Sequence, residues 1–166
     1  MDSMTRQHPL GKPDRPASLN RLDMPAARMS SAVLISAPRN HSLAIALAIA
    51  CEGTEDEVAI VRAGDTVGLR SALSRATAEF DGLRTIVIQD VDTLERAQQL
   101  TLRTAMEHPA RRRAVACRIL ATTSVPLFDL VTEGRFDARL FYRLNAVHIV
   151  RDGAGARDRA DDITKN

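Results

Sequence analysis

Five short apolar runs, each followed by a segment of helical periodicity, set the tightest limit on what this chain can fold into. The runs are Ala32 to Ser36, Val58 to Val61, Arg84 to Asp90, Cys117 to Thr122 and Ala146 to Val150. The third is the clearest, a β-branched run (Thr85-Ile86-Val87-Ile88) that reads as a buried strand with an amide and a carboxylate, Gln89 and Asp90, at its C-terminal end. Strands that alternate with helices pair mostly in parallel and are covered on both faces. The fold class is therefore α/β: a three-layer α/β/α sandwich around a mostly parallel five-stranded sheet.

The intervening segments carry helix start and stop signals. Ser42 can cap a helix running to Cys51, with Ala37 to His41 as the turn before it and Gly53 just beyond its end. Asp65-Thr66 starts a helix with Leu69, Ala72, Leu73, Ala76 and Phe80 on one face, ending near Asp81-Gly82. Asp92-Thr93-Leu94-Glu95 reads as a capping box opening a helix through Leu94, Ala97 and Leu100 to Met106, stopped by Pro109. Helices are expected over Pro126 to Glu133 and Asp137 to Asn145. In the latter region Phe136, Leu140, Phe141 and Leu144 share a face, and Gly134 closes the preceding helix. Arg135, Arg139 and Arg143 are spaced four apart and form a row. Two readings of that row stand: a solvated face, or guanidinium groups directed at phosphate on a neighbouring molecule.

Composition removes several function classes. At 166 residues the chain holds one domain at most. Residues 1 to 30 are rich in Pro, Arg, Asp and Ser without periodicity and read as a disordered arm; 31 to 152 form the core; 153 to 166 are a flexible end. The net charge of +2 does not demand nucleic acid. Cys51 and Cys117 lie in apolar surroundings without metal-ligand spacing, so buried free thiols are expected rather than a disulfide or a metal site. The longest apolar run, Leu43 to Cys51, is too short to span a bilayer, and no signal-peptide core is present, which places the protein in the cytoplasm.

Strand, tight turn and helix over residues 32 to 51 is the context of a phosphate-binding loop, because helix N-terminal N–H groups point at an anion. The candidate residues there are Arg39, Asn40, His41 and Ser42. Such a loop needs glycines for close backbone approach and a lysine for the phosphates. Gln89 and Asp90 end the third run, and Thr122-Thr123-Ser124 ends the fourth. Asp90 by itself reads as a polar strand end that caps the next turn. Arg111-Arg112-Arg113 reads as a solvated loop rather than a phosphate patch.

Gly134-Arg135-Phe136-Asp137-Ala138-Arg139-Leu140-Phe141-Tyr142-Arg143-Leu144-Asn145 resembles the G-R-F-R-x-D-L-Y-Y-R-L-N segment of the AAA+ domain in sigma-54-dependent transcriptional activators. Upstream and in register, Arg118-Ile119-Leu120-Ala121-Thr122-Thr123-Ser124 is similar to the family's R-I-I-A-A-T-N, and Leu127 to Val131 to its L-E-E-L-V. Thr85 to Asp90 resembles T-L-F-L-D-E, and Gln98 to Arg103 resembles Q-x-x-L-L-R. The resemblance implies an AAA+, P-loop-NTPase-like sheet with the Ile35 strand central. It also implies where the chain departs from the family. Ala37, Asn40 and Ser42 stand at the phosphate-loop glycines, Leu43 at its lysine, Gln89 at the magnesium-supporting aspartate, Asp90 at the water-activating glutamate and Ser124 at the γ-phosphate sensor. Of the arginines that reach into a neighbouring subunit, one position is Asp137 and the other is Arg143. The stretch Gly68 to Ala78 has no counterpart of the sigma-contacting G-A-F-T-G-A loop. Arg157-Asp158-Arg159-Ala160-Asp161-Asp162-Ile163 resembles the lead-in to the helical lid, which is expected to be missing together with the DNA-binding domain.

The function implied is an AAA+ module of transcription regulation. It is expected to be a pseudo-ATPase without ATP or magnesium that acts on a protein partner (an activator, another regulator or its own copy) through Arg139 and Arg143. Two alternatives remain: weak ATP binding or hydrolysis through the backbone N–H groups after Asn40 with Asp90 and Ser124, or a decayed fragment.

Overall fold

The five apolar runs form strands that hydrogen-bond side by side, and the periodic segments form the helices between them. The computed structural model describes residues 25–27, 30–51, 57–76, 83–107 and 117–151. In chain order the elements are β1 (Ala32–Ser36), α1 (Arg39–Cys51), β2 (Glu57–Arg62), α2 (Thr66–Ala76), β3 (Leu83–Gln89), a 3-10 turn (Val91–Thr93), α3 (Arg96–Glu107), β4 (Arg118–Thr123), α4 (Leu127–Thr132), α5 (Ala138–Leu144) and β5 (His148–Val150). The strands lie in the order β2-β3-β4-β1-β5 and every pairing is parallel.

This order dictates the layers. From β2 to β3, β3 to β4 and β4 to β5 the chain moves across the sheet in one direction, whereas from β1 to β2 it moves back. Crossovers of a single hand then put α1 alone on one face and the other helices on the opposite face. The core divides accordingly. Ile45, Ala46 and Ile49 of α1 pack on Val33, Ile35, Val87, Leu120 and Ile149, together with Ala27. On the other face Leu69, Leu73, Leu102, Leu140 and Leu144 pack on Leu34, Ile86, Ile88 and Ala121. Each such side chain contributes about 2 kcal/mol when fully buried. The interior is mostly aliphatic, with Phe136 and Phe141 its buried rings, in keeping with a chain that is only 3% aromatic.

Several expectations move. The Ile35 strand is interior but not central, because β1 lies between β4 and β5 and β4 holds the middle of the sheet. Half of a capping box forms, three residues later than expected: Glu95 N–H donates to Gln98 Oε1 at 2.9 Å, and residues 91–93 wind as the 3-10 turn. The face of α3 that meets the core is also different. Ala97 and Leu100 are exposed, whereas Gln98, Gln99 and Leu102 are buried. Arg135 precedes α5, so the arginine row on that helix is Arg139 and Arg143. The α4 terminus behaves as expected. Gly134 has φ 70°, its N–H reaches Val131 O, and Arg135 N–H reaches Leu130 O at 2.8 Å, which closes the helix with a left-handed residue.

Gly53, Glu55-Asp56, Phe80 to Gly82, Pro109, Arg111 to Arg113 and Arg157 to Ile163 lie outside the described residues, as does most of the expected arm.

Candidate functional site

At the C-terminal edge of the sheet the chain leaves β1 towards one face and leaves β4, its neighbour, towards the other. Such a reversal opens a crevice at the strand ends, the usual ligand position in open α/β sheets. Three segments meet there: Ser36 to Ser42, Gln89 with Asp90, and Thr122 to Ser124.

The β1–α1 connection is only Ala37-Pro38, because the helix begins at Arg39. Ser42 is therefore not the cap expected of it. It lies buried within the first turn, and its hydroxyl donates to Arg39 O at 3.3 Å. The physical reason is that residues 39–42 contain no glycine to favour an open loop, while Pro38 lacks an N–H and suits a helix start. The carbonyl of Pro38 accepts from both His41 N–H and Ser42 N–H, at 2.9 and 3.0 Å, and Ala37 N–H donates to Thr123 O at 3.0 Å. These N–H groups are thus already occupied inside the chain. Leu43 is half-buried and packs against the α1-side core. Asn40 and His41 are exposed, with Asn40 Nδ2 3.5 Å from His41 Nε2.

Asp90 is, among the described residues, the non-glycine residue with positive φ, at 54°. Its amide donates to Thr122 Oγ1 at 3.3 Å, and its carbonyl accepts from Thr93 N–H and Thr93 Oγ1 at 2.9 and 2.8 Å. Aspartate tolerates this left-handed conformation better than most residues. Its carboxylate faces Arg39, with Nε to Oδ1 at 3.1 Å. Arg39 thus spans from the start of α1 to the end of β3. Gln89 is tied through its carbonyl to Ala63 N–H at 2.9 Å.

Ser124 lies exposed just past β4, so the hydroxyls that organise this edge are Thr122 and Thr123. Thr123 Oγ1 donates to Val125 O at 2.9 Å and accepts from Val125 N–H at 3.2 Å, a turn held by its own side chain. Reading the sequence by resemblance pointed to Ser124 alone. The signal available was the run of three hydroxyl residues at a strand end.

The arginines divide. Arg139 is exposed on α5, with no side-chain partner among the described residues. Arg143 is engaged within the chain, 3.8 Å from Glu107 and donating to Met106 O at 3.4 Å. Asp137 caps α5 by accepting Leu140 N–H at 2.9 Å and pairs with Arg103 at 2.7 Å. The sequence reading missed a second pair of residues. Gln98 donates to Ala63 O and Thr66 Oγ1 at 2.7 and 2.9 Å, while Gln99 donates to Leu94 O and Arg135 O at 2.8 and 3.1 Å and accepts Asp137 N–H at 2.8 Å. These buried amides tie α3 to the loops on either side of it.

Burial pushes the Cys117 thiol up from 9.0 to about 11, partly offset by Arg84 and Arg118. The folded value lies above the unfolded one, so this thiol favours the fold below the ordinary thiol range. That contribution is lost as pH rises from 9.0 towards about 11. Cys51 is exposed rather than buried as expected, because it ends α1, so iodoacetamide near pH 8 is expected to modify Cys51 on the native chain and both cysteines after denaturation, read by intact mass. Rapid double labelling of folded protein would contradict the burial. Among the described residues no group of three or more His, Cys, Asp or Glu is placed to hold a metal ion, and no helix is long and apolar enough to cross a membrane.

A family model described as the sigma-54 interaction domain matches residues 23–150. No curated protein matches the chain. Among solved structures the chain is similar to NtrX from Brucella abortus, with TM-score 0.61 and 19% identity over 86% of this chain and 38% of that one. NtrX has also been solved with ADP and with ATP. A second similar structure is the P-loop NTPase domain of a sigma-54 transport activator from E. coli, at TM-score 0.57 and 16% identity, covering 81% of this chain and 92% of that one. A third is RuvB from Thermotoga maritima, at TM-score 0.56 and 18% identity, covering 79% and 43%. At these identities the likeness shows the fold. The chain spans little more than a third of NtrX.

Proposed function

The chain belongs to the sigma-54 interaction domain family, and from that premise we propose that it is a transcription-regulatory AAA+ module that works by binding protein rather than by hydrolysing ATP. The observation that carries this reading is the first turn of α1. Where the family's phosphate loop would stand, residues 39–42 are helical, the amides of His41 and Ser42 are spent on Pro38 O, and Leu43 packs on the core.

In this reading the residues present do not fit a magnesium triphosphate. Phosphoryl transfer depends on groups that hold phosphate charge in place. The lysine position is aliphatic, Gln89 brings no charge for a hard cation, and the Arg39 guanidinium is already matched by Asp90. Asp90 is then a counter-ion and turn cap, not a general base. The protein-binding half rests on α5. Arg139 projects freely into solvent, and Arg143 reaches a partner only by releasing Glu107.

The test is a thermal-shift and calorimetric titration with ATP, ADP and magnesium. A ligand that prefers the native state must raise Tm by mass action, by about 2.7 kcal/mol of stability at a hundred times its Kd. The expected result is no shift at millimolar nucleotide, together with association with purified sigma-54 activators at micromolar concentration. A shift that Arg39→Ala or Asp90→Ala abolishes would establish a rebuilt phosphate site and overturn the proposal.

A further inference from the structure

We propose that residues 19–24 of this chain lie along the outer side of α1 and close that layer of the sandwich. The helix carries two stripes of side chains at helical spacing. Ser42, Ile45, Ala46, Ile49 and Ala50 form the inner stripe and are buried on the sheet. Ala44, Leu47, Ala48 and Cys51 form the outer one, with Ala44 and Cys51 exposed and Leu47 and Ala48 partly buried. From Ser42 to Cys51 there is no charged residue. The helices of the opposite layer differ: the exposed side of α2 includes Arg70, Ser71 and Ser74, and that of α3 includes Arg96, Thr101 and Thr104. A helix that is apolar all round is one covered on both sides. Among the described residues, Leu47 and Ala48 have no place in the core beneath α1.

The chain itself supplies the cover. Residues 25–27 are helical, with Pro25 and Ala26 exposed and Ala27 fully buried in the α1-side core. Ser30 N–H donates to Ala26 O at 3.2 Å, so the chain turns from this layer directly into β1. The segment before Pro25 therefore starts out on the α1 side of the sheet. Proline suits the first turn of a helix and biases the residue before it to extended backbone, so the helix at Pro25 does not run back through residues 19–24. Six extended residues reach about 20 Å. The 13 residues of α1 make a helix about 20 Å long. Leu19, Leu22 and Met24 fall within that short segment, against Met1, Met4 and Leu10 in all of residues 1–18. Alternate side chains of an extended chain share a side. Leu22 and Met24 thus meet Ala44, Leu47 and Ala48, while Arg21 and Asp23 turn to water. The two alanines flanking Leu47 leave room for the larger side chains.

This inference is independent of the proposed function, and it removes the middle of α1 from the surfaces open to a protein partner. Native trypsin digestion of the full chain tests it. Lys12 and Arg15 precede prolines and resist trypsin by themselves, so Arg6 and Arg21 report on the segment. Each rate is divided by that of a free peptide spanning residues 1–30. Cleavage after Arg21 is expected to be roughly tenfold or more slower than after Arg6, because a docked segment must open before a protease can cut it. Ala44→Glu on the helix, and Leu22→Ser with Met24→Ser on the segment, should each bring Arg21 up to the rate at Arg6. Ala44 is exposed and residues 22 and 24 precede the core, so circular dichroism should show both variants folded. Equal rates at Arg6 and Arg21 in the wild type would overturn the proposal, as would protection of Arg21 that neither folded variant relieves. Protection that grows with protein concentration would also overturn it, because a second copy would then be the cover.

Discussion

Gln99→Ala is expected to cost the fold about 3 kcal/mol, seen as a fall in Tm of roughly 10 °C and a lower denaturant midpoint at unchanged slope. The side chain is buried on α3 and makes three hydrogen bonds, to Leu94 O, Arg135 O and Asp137 N–H. Truncation removes no large apolar volume. It strands an amide and two carbonyls in a site closed by Leu94 and the α4–α5 connection, and each unpaired buried group costs about 1–3 kcal/mol. Water entry offsets part of that total, which keeps the expectation near the lower sum. The exposed Thr101→Ala on the same helix is the control, expected within about 0.5 kcal/mol of wild type. Equal stability of the Gln99 variant and this control would mean that the latch contributes nothing.

This latch marks where the sequence stopped being legible. The strands were readable because runs such as Thr85-Ile86-Val87-Ile88 are β-branched and bounded by polar residues, and β3 forms over Leu83–Gln89. The face of α5 was readable because Leu140, Phe141 and Leu144 recur at helical spacing, and all three are buried. On α3 the same rule failed. The best apolar spacing there, Leu94, Ala97 and Leu100, leaves Ala97 and Leu100 in solvent. Periodicity scores side chains by hydrophobicity alone, and a glutamine whose amide finds every partner can fill a core position. The position of β1 was out of reach for another reason: strand order is a long-range property, and the spacing of runs along the chain does not encode it. At the crevice the sequence named Arg39, Gln89 and Asp90, which the fold does bring to one edge, but it gave no sign that residues 39–42 would wind into helix. That outcome depends on Pro38 O meeting two amides, a matter of local geometry.

Asp137→Arg is expected to destabilise the protein by about 2 kcal/mol even though, by resemblance, it places an arginine where the activators have one. The carboxylate has two duties. It caps α5 through Leu140 N–H at 2.9 Å, and a lost cap costs about 1 kcal/mol. It also meets Arg103 at 2.7 Å with both side chains largely out of water, and an arginine there sets two guanidinium groups against each other. Asp137→Asn separates the two duties. Asparagine caps nearly as well as aspartate but carries no charge, so its loss should be less than half that of the arginine variant. The measurement is chemical denaturation of both variants beside wild type. An arginine variant as stable as wild type would mean that Asp137 is an incidental replacement. The expected ordering, arginine well below asparagine and asparagine slightly below wild type, means that this position now serves its own subunit. A residue that joins α5 to α3 within one chain cannot also reach into a neighbour. The free cation left on α5 is Arg139, exposed beside an Arg143 that faces Glu107.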